Sequence, residues 1–323
     1  MQKDMRFELL AGIEVVREAS LLSRRIQREL TSTAMVKEDR SPVTVADFSV
    51  QALIARRLGE RFPQDVLVGE EDGGFLQKQD ADLQGGVTNY VKSCIAEADQ
   101  QSVTKWISWG NAAPSERFWL VDPIDGTKGF LRGGQFAVAL SLLVDYRVVV
   151  GLLGCPNLQL SCFEKPGVII YASAGKGTWA LSLDEPREAV KLCVSACASH
   201  AEARMLFSFE SGHTNEEVIA SFIQEMGIKK DPVRMDSQAK QGVLAAGDGE
   251  FLLRVPPAEA PEYKEKIWDP AAGMIVIEEA GGRVTDLDGR TLDFSAGRKL
   301  ENNRGVLCSN GLLHERALAV LKG

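Results

Sequence analysis

Phe7, Leu9, Leu10, Ile13, Val16, Leu22, Ile26 and Leu30 recur at roughly helical spacing, which predicts an amphipathic helix over about 7–30 with its Arg and Glu residues on a solvated face. A polar loop is expected over 31–40, closing on the charge run Lys37-Glu38-Asp39-Arg40. Asp47 is expected to open a second helix, to about 62, with Val50, Leu53, Ile54 and Leu58 on one face. An acid at that end suits the helix dipole. Two short apolar runs then end on acids: Val66-Leu67-Val68 leads into Gly69-Glu70-Glu71-Asp72, and Phe118-Trp119-Leu120-Val121 leads into Asp122. Runs of this length read as buried strands. Between them, 73–117 is poor in apolar residues apart from Tyr90-Val91 and the Trp106 to Trp109 patch. One helix is expected there, over 86–98, and Trp106 and Trp109 read as packing residues.

Beyond residue 134 the pattern turns to strands. Apolar runs over 136–145 and 148–153 flank Tyr146-Arg147 as in a hairpin. Further strands are expected over 160–163, 168–172, 177–181, 191–194, 205–207, 251–255 and 305–309, with helices over 216–226 and 312–321 and one ending over 242–246. Asp269 reads as an N-cap with Pro270 at the first position of a helix that Gly281-Gly282 stop near 280. Asp288-Gly289 reads as the turn of a hairpin over 283–292. Sheets alternating with helices imply an α/β (α+β) fold of stacked layers. A subdomain boundary is expected near Arg187, giving an α+β unit over 1–187 and an α/β unit over 188–323.

The chemistry concentrates where the 118–121 run stops. Asp122 and Asp125 stand three apart with Pro123 between them, and Gly126 and Thr127 follow. Two acids at one strand end repel each other. A plain Asp-rich turn would hold them, and so would a hard divalent cation such as Mg²⁺, which prefers oxygen ligands and keeps waters for a substrate phosphate. If Gly126 and Thr127 open a helix, their free N–H groups suit a phosphate.

Composition narrows the field. The chain has 323 residues, 45% of them apolar, which fits a globular protein with a large core. A net charge of −8 argues against a nucleic-acid polymer as partner, and it disfavours any anionic substrate unless metals reverse the sign locally. The start shows no secretory pattern and no run is apolar enough to cross a membrane. The six cysteines, Cys94, Cys155, Cys162, Cys193, Cys197 and Cys308, are therefore expected as reduced thiols of a cytoplasmic chain. Cys193 and Cys197 could form a metal pair, but no second pair lies nearby, and buried strand thiols suit them better.

Three blocks in order, Gly69-Glu70-Glu71-Asp72, Asp122-Pro123-Ile124-Asp125-Gly126-Thr127 and Trp268-Asp269, resemble the metal-dependent, lithium-sensitive phosphatases of the inositol monophosphatase superfamily. Within it, Gly126 to Gly133, Gly154-Cys155-Pro156-Asn157-Leu158 and Glu265-Lys266-Ile267-Trp268-Asp269 are most similar to the 3'(2'),5'-bisphosphate nucleotidases. The likeness runs from about 41 to 310.

The resemblance implies an α-β-α-β-α sandwich and two to three Mg²⁺ ions. Glu70, Asp122 and the carbonyl of Ile124 would hold one ion. Asp122, Asp125 and Asp269 would hold a second, and a weaker third would sit by Glu70 and Asp47 through waters. Asp47 and Thr127 would orient the attacking water, and Gly126 and Thr127 amides would hold the phosphate. Ser237, Lys240 and Arg254, with help from His213, would contact a nucleotide 5'-phosphate. The implied reaction is hydrolysis of 3'-phosphoadenosine 5'-phosphate to AMP and phosphate, with the sulfate-activated analogue as a further substrate and Li⁺ as an inhibitor. An inositol polyphosphate 1-phosphatase or inositol monophosphatase is the alternative. The charge run over 37–40 would be a mobile loop near the metals. Gly134 stands where the family usually has an acid, and Pro270 where a His is common.

Overall fold

The computed structural model describes residues 4–33, 42–209 and 215–322. Helices α1 (Arg6–Thr33) and α2 (Pro42–Arg61) lead into β1 (Val66–Gly69). Three helices follow, α3 (Gly73–Gln77), α4 (Ala81–Lys92) and α5 (Gln100–Trp109), and then β2 (Arg117–Asp125), the short α6 (Thr127–Leu131), β3 (Ala137–Val144), β4 (Arg147–Cys155), β5 (Val168–Ser173), β6 (Thr178–Ser182) and β7 (Val190–Leu192). The rest runs β8 (Met205–Phe207), α7 (Glu216–Met226), β9 (Val233–Arg234), α8 (Ala239–Ala245), β10 (Phe251–Arg254), α9 (Trp268–Glu279), β11 (Arg283–Thr285), β12 (Val306–Ser309) and α10 (His314–Lys322).

The strands form two sheets. One holds β1 to β7 in chain order, with β1 parallel to β2 and every later pair antiparallel. The other has the order β11-β12-β10-β8-β9. The first sheet ends with β7, so the chain passes to the second between Leu192 and Met205, and Arg187 lies in the turn before β7.

Three apolar cores separate the layers. Ile26, Phe48 and Leu53 of α1 and α2 bury against Trp119, Leu140 and Leu152 of the first sheet, and Val87, Val91 and Ile107 extend that layer through α4 and α5. The opposite face of this sheet, with Leu120, Leu153 and Ile170, packs on α8 and α9, which meet Leu252, Val306 and Cys308 of the second sheet. On its far side, Phe222 of α7 and Leu318 of α10 cover Phe251 and Leu253. The result is the expected α-β-α-β-α sandwich. Helix α9 is apolar on all sides, with Ala271, Ala272, Ile275 and Val276 buried, because it is enclosed by both sheets.

Several local expectations are corrected. Helix α2 starts at Pro42, where the missing N–H costs nothing, so Asp47 lies in its second turn and is not a terminal acid. Helix α9 starts at Trp268 after an Ile267 N-cap, so Asp269 is inside the first turn, with Pro270 tolerated there for the same reason. The 73–117 segment forms three helices instead of one, with Asp72, Asp80 and Asp99 as N-caps. Trp106 and Trp109 pack against the first core as expected, Trp106 beneath Arg56. Residues 160–163 form a turn, with Leu160 buried. Residues 283–292 form no hairpin: β11 pairs with β12, and Asp286 ties the following turn by accepting from the Asp288 and Arg290 N–H groups. The loop expected over 31–40 loses its first residues to α1, and its charge run lies outside the described residues.

Candidate active site

Strands β1 and β2 lie side by side and in parallel, with Gly69 level with Val121. Their C-terminal ends therefore deliver Glu70 and Asp122 to one place. The ladder between β2 and β3 shifts register between Asp122 and Asp125, which turns Asp125 toward the same place. Asp47 reaches it from α2 and Asp269 from the first turn of α9. A cavity of about 420 Å³ opens there, and its lining includes Glu70, Asp122, Asp125 and Asp269 together with Lys240 and Arg254.

The electrostatics match this convergence. Burial, with Glu70, Asp125, Asp269 and Asp47 nearby, holds the Asp122 carboxyl well above the usual carboxylate range. Burial raises Asp269 as well, partly offset by Arg254. Asp125 is raised by burial while Lys240 and the Gln238 N–H oppose the shift. Glu70 is exposed at the mouth, yet burial of its carboxyl raises it, with a hydrogen bond to Asp122 opposing the shift. Asp47 is raised by burial and by Glu71 and Glu70. Such a set is unstable as bare anions and calls for positive charge.

The donor atoms fit a hard cation. Asp122 Oδ1 is buried and accepts no hydrogen bond from the protein, which leaves it free for a metal ion. The nearby donors are carboxylate oxygens and the Ile124 backbone, the set Mg²⁺ prefers. Among the described residues no three His, Cys, Asp or Glu side chains already close on one point. The implied three-carboxylate site of Asp122, Asp125 and Asp269 is thus not drawn into a cage. Mg²⁺ is commonly held by one or two carboxylates with waters and phosphate oxygens completing the shell, so pairs suffice.

Gly126 has φ +89 and serves as the N-cap of α6. That left-handed conformation lets the chain leave β2 and start a helix within one residue. The Gly126 and Thr127 amides precede the first helical hydrogen bond and remain available at the cavity wall. Gly129 also has to be glycine, because a β-carbon there would stand 2.1 Å from the Gln135 carbonyl oxygen. The Gly134 carbonyl accepts from Asn157 Nδ2 at 2.6 Å and Gln27 Nε2 at 3.5 Å. Pro270 is buried at the cavity wall.

The cationic lining differs in detail from the sequence reading. Ser237 lines the cavity with φ +69, a conformation rare outside glycine. Lys240 lines it too, but its Nζ donates to the carbonyls of Met235 at 3.0 Å and Ser237 at 2.9 Å, so it holds the strained turn. Burial lowers its pKa to about 8. Arg254 is gripped by Glu265 through Nε at 3.3 Å and Nη2 at 2.8 Å, and that carboxylate holds the guanidinium firmly charged. His213 lies outside the described residues.

Three further residues belong here that sequence reasoning did not single out. Glu265 orients Arg254. Glu71, raised to about 7 by burial and by Glu70, faces Asp47. Gln51 clamps the Glu71 backbone from both sides, donating to its carbonyl at 2.7 Å and accepting from its N–H at 2.9 Å. The acid run Glu70-Glu71-Asp72 was a signal for Glu71; Gln51 left none.

The model of the inositol monophosphatase family matches residues 5–322. A 3'(2'),5'-bisphosphate nucleotidase from Oryza sativa is 39% identical over 94% of this chain and 90% of its own length. The corresponding enzyme of Schizosaccharomyces pombe is 36% identical over 95% and 92%, and that of Dictyostelium discoideum 38% over 96% and 95%. Among solved structures, Mycobacterium tuberculosis SuhB superposes with a TM-score of 0.64 at 19% identity over 99% of this chain and 98% of its own. An inositol monophosphatase from Anabaena gives 0.62 at 18% over 98% and 96%. These structures share the fold.

Proposed function

The chain belongs to the inositol monophosphatase family and is a phosphoric monoester hydrolase, and from that premise we propose that it is a Mg²⁺-dependent 3'(2'),5'-bisphosphate nucleotidase. It removes the 3'-phosphate of 3'-phosphoadenosine 5'-phosphate, and that of the sulfate-activated analogue, to leave the 5'-nucleotide and inorganic phosphate. The observation that carries this reading is one cavity that gathers Glu70, Asp122, Asp125 and Asp269 together with Lys240 and Arg254. An acid cluster and a guanidinium in one cavity suit a substrate with two phosphates, one bound through cations and one held directly by Arg254.

Glu70, Asp122 and the Ile124 carbonyl would hold one ion, and Asp122, Asp125 and Asp269 would contribute to a second, with Asp47 and Glu70 near a third. Bound Mg²⁺ supplies a water of lowered pKa and positive charge for the departing 3'-oxygen. Asp47, buried beside Glu70 and Glu71, takes the proton of the attacking water. The Thr127 hydroxyl orients that water. The Gly126 and Thr127 amides bind the phosphoryl oxygens as charge builds on them. Arg254, held by Glu265, grips the 5'-phosphate with the donors left free by that pair. Ser237 shapes the turn beside it, Lys240 adds charge through the backbone it fastens, and His213 is assigned a supporting contact. Among the described residues no helix is long and apolar enough to cross a membrane, and all six thiols are free; we assign the enzyme to the cytoplasm.

Phosphate release from 3'-phosphoadenosine 5'-phosphate and from inositol phosphates, measured with Mg²⁺ and with LiCl added at fixed Mg²⁺, tests the proposal. Nucleotide preference with lithium inhibition is the expected result. Preference for the inositol compounds would replace the reading by the inositol phosphatase alternative.

A further inference from the structure

The two carboxylates that come from opposite ends of the chain, Glu70 and Asp269, are joined by a side chain that touches neither. Arg298 projects from the segment after the Asp286 turn. Its Nη2 donates to the Gly69 carbonyl. Its Nη1 lies 3.3 Å from the carbonyl of Ala112 and 3.5 Å from that of Gly110. Gly110 in turn accepts from the Gly69 N–H at 2.8 Å. The face of the guanidinium lies over the Trp268 ring, 4.9 Å from its centre. Its own backbone is fastened beside Trp268: the Ile267 N–H donates to the Arg298 carbonyl at 3.2 Å, and Leu300 N–H to that of Glu265 at 2.9 Å.

Two of these contacts are each one residue from an acid of the site. Gly69 precedes Glu70, and a fixed carbonyl fixes the plane of the peptide that carries Glu70. Trp268 precedes Asp269. The planar fork satisfies carbonyls at its edge and stacks with its face at the same time, which an ammonium group cannot do. Arg298 is not among the residues that line the cavity.

We propose that Arg298 is a positioning residue that sets the separation of Glu70 and Asp269, and with it the affinity of the site for divalent metal; this rests on the metal-dependent reading above. Charge alone is insufficient for the role; the fork geometry is required. Residues that orient ligands from behind typically change metal affinity by roughly 10- to 100-fold when replaced.

The test is Mn²⁺ binding by electron paramagnetic resonance, without substrate, on the full-length wild type, R298K and R298M, with folding checked by circular dichroism. Both variants are expected to bind Mn²⁺ at least about tenfold more weakly. In turnover, kcat at fixed Mg²⁺ falls while the KM for nucleotide stays near wild type. R298K binding Mn²⁺ as tightly as wild type would overturn the inference while leaving the metal reading intact. A wild type that binds no Mn²⁺ would overturn both. Should these variants fail to fold, R298Q keeps a planar donor for the Gly69 carbonyl and loses the second arm of the fork; weakened Mn²⁺ binding is expected, and wild-type affinity would again overturn the proposal.

Discussion

Gly126 and Ser237 meet so closely that a β-carbon on Gly126 would stand 2.7 Å from the β-carbon of Ser237. The turn that ends β2 is thereby locked to the turn that opens α8. Both residues hold positive φ, +89 and +69. The Gly126 turn and the Ser237 turn are thus packed against each other, with the only non-glycine strain of the pair at Ser237.

Gly126→Ala adds a side chain to a left-handed residue and a clash to a backbone contact. We expect it to lower stability by about 2 kcal/mol and to lower kcat by more than about tenfold, since a misplacement of about 1 Å costs that much or more. Urea unfolding and single-turnover phosphate release measure the two effects. Full activity would show that the two turns move independently.

Arg254→Lys keeps the charge and loses the bidentate pair with Glu265. Hydrogen bonds to charged groups contribute roughly 1.5–3 kcal/mol, so the KM for 3'-phosphoadenosine 5'-phosphate should rise by roughly 10- to 100-fold. Turnover of an inositol monophosphate, which has no second phosphate to grip, should change little. Equal losses on both substrates would mean that Arg254 supports the site as a whole and does not read the nucleotide.

Asp122→Asn removes a charge from the middle of the acid cluster. Phosphate release should fall to background, while the metal-free protein gains roughly 1–2 kcal/mol, the common trade when a strained site is relieved. Thermal unfolding with EDTA and then with Mg²⁺ separates the contributions: wild type should gain stability from Mg²⁺ and the variant should gain less.

His314 gives a pH prediction away from the site. It is buried, with Nδ1 2.8 Å from Ser309 Oγ and Nε2 3.0 Å from Thr285 Oγ1, and burial lowers its pKa from 6.5 to about 4. Arg283 lowers it further and Glu315 opposes this. Between those two pH values the unfolded chain binds the proton and the folded one does not, so this contribution to stability falls as pH drops from 6.5 toward 4. His314→Asn should be less stable than wild type at pH 7, and the gap measured by urea unfolding should narrow over that window. A constant gap would show that His314 does not titrate with folding.

The layers and the acid cluster were legible because they rest on strong local patterns. The runs ending at Val68 and Val121 read as buried strands, which put the acids after them at the strand ends. Residues 73–117 were harder: the buried face of α4 is little more than Val87 and Val91, too sparse for periodicity to register. The capping box of Asp99 and Ser102 marked the start of α5 and was a usable sign. Asp47 and Asp269 looked like helix starts because acids favour both the cap and the first turns, and Pro42 and Trp268 settle which applies. The direction of Lys240 was hidden altogether. No pattern in a sequence says whether a buried cation will face a ligand or the carbonyls of its own turn, since that depends on the strained path of Ser237. Arg298 was hidden for the same reason, its carbonyl partners being more than 180 residues away in the chain.

The most direct measurement is diffraction from crystals grown with Mn²⁺, AMP and phosphate, collected at the manganese absorption edge. The account predicts anomalous peaks among Glu70, Asp122, Asp125 and Asp269, with the nucleotide 5'-phosphate against Arg254. Manganese bound elsewhere, or none among these four carboxylates in a crystal that holds the nucleotide, would contradict it.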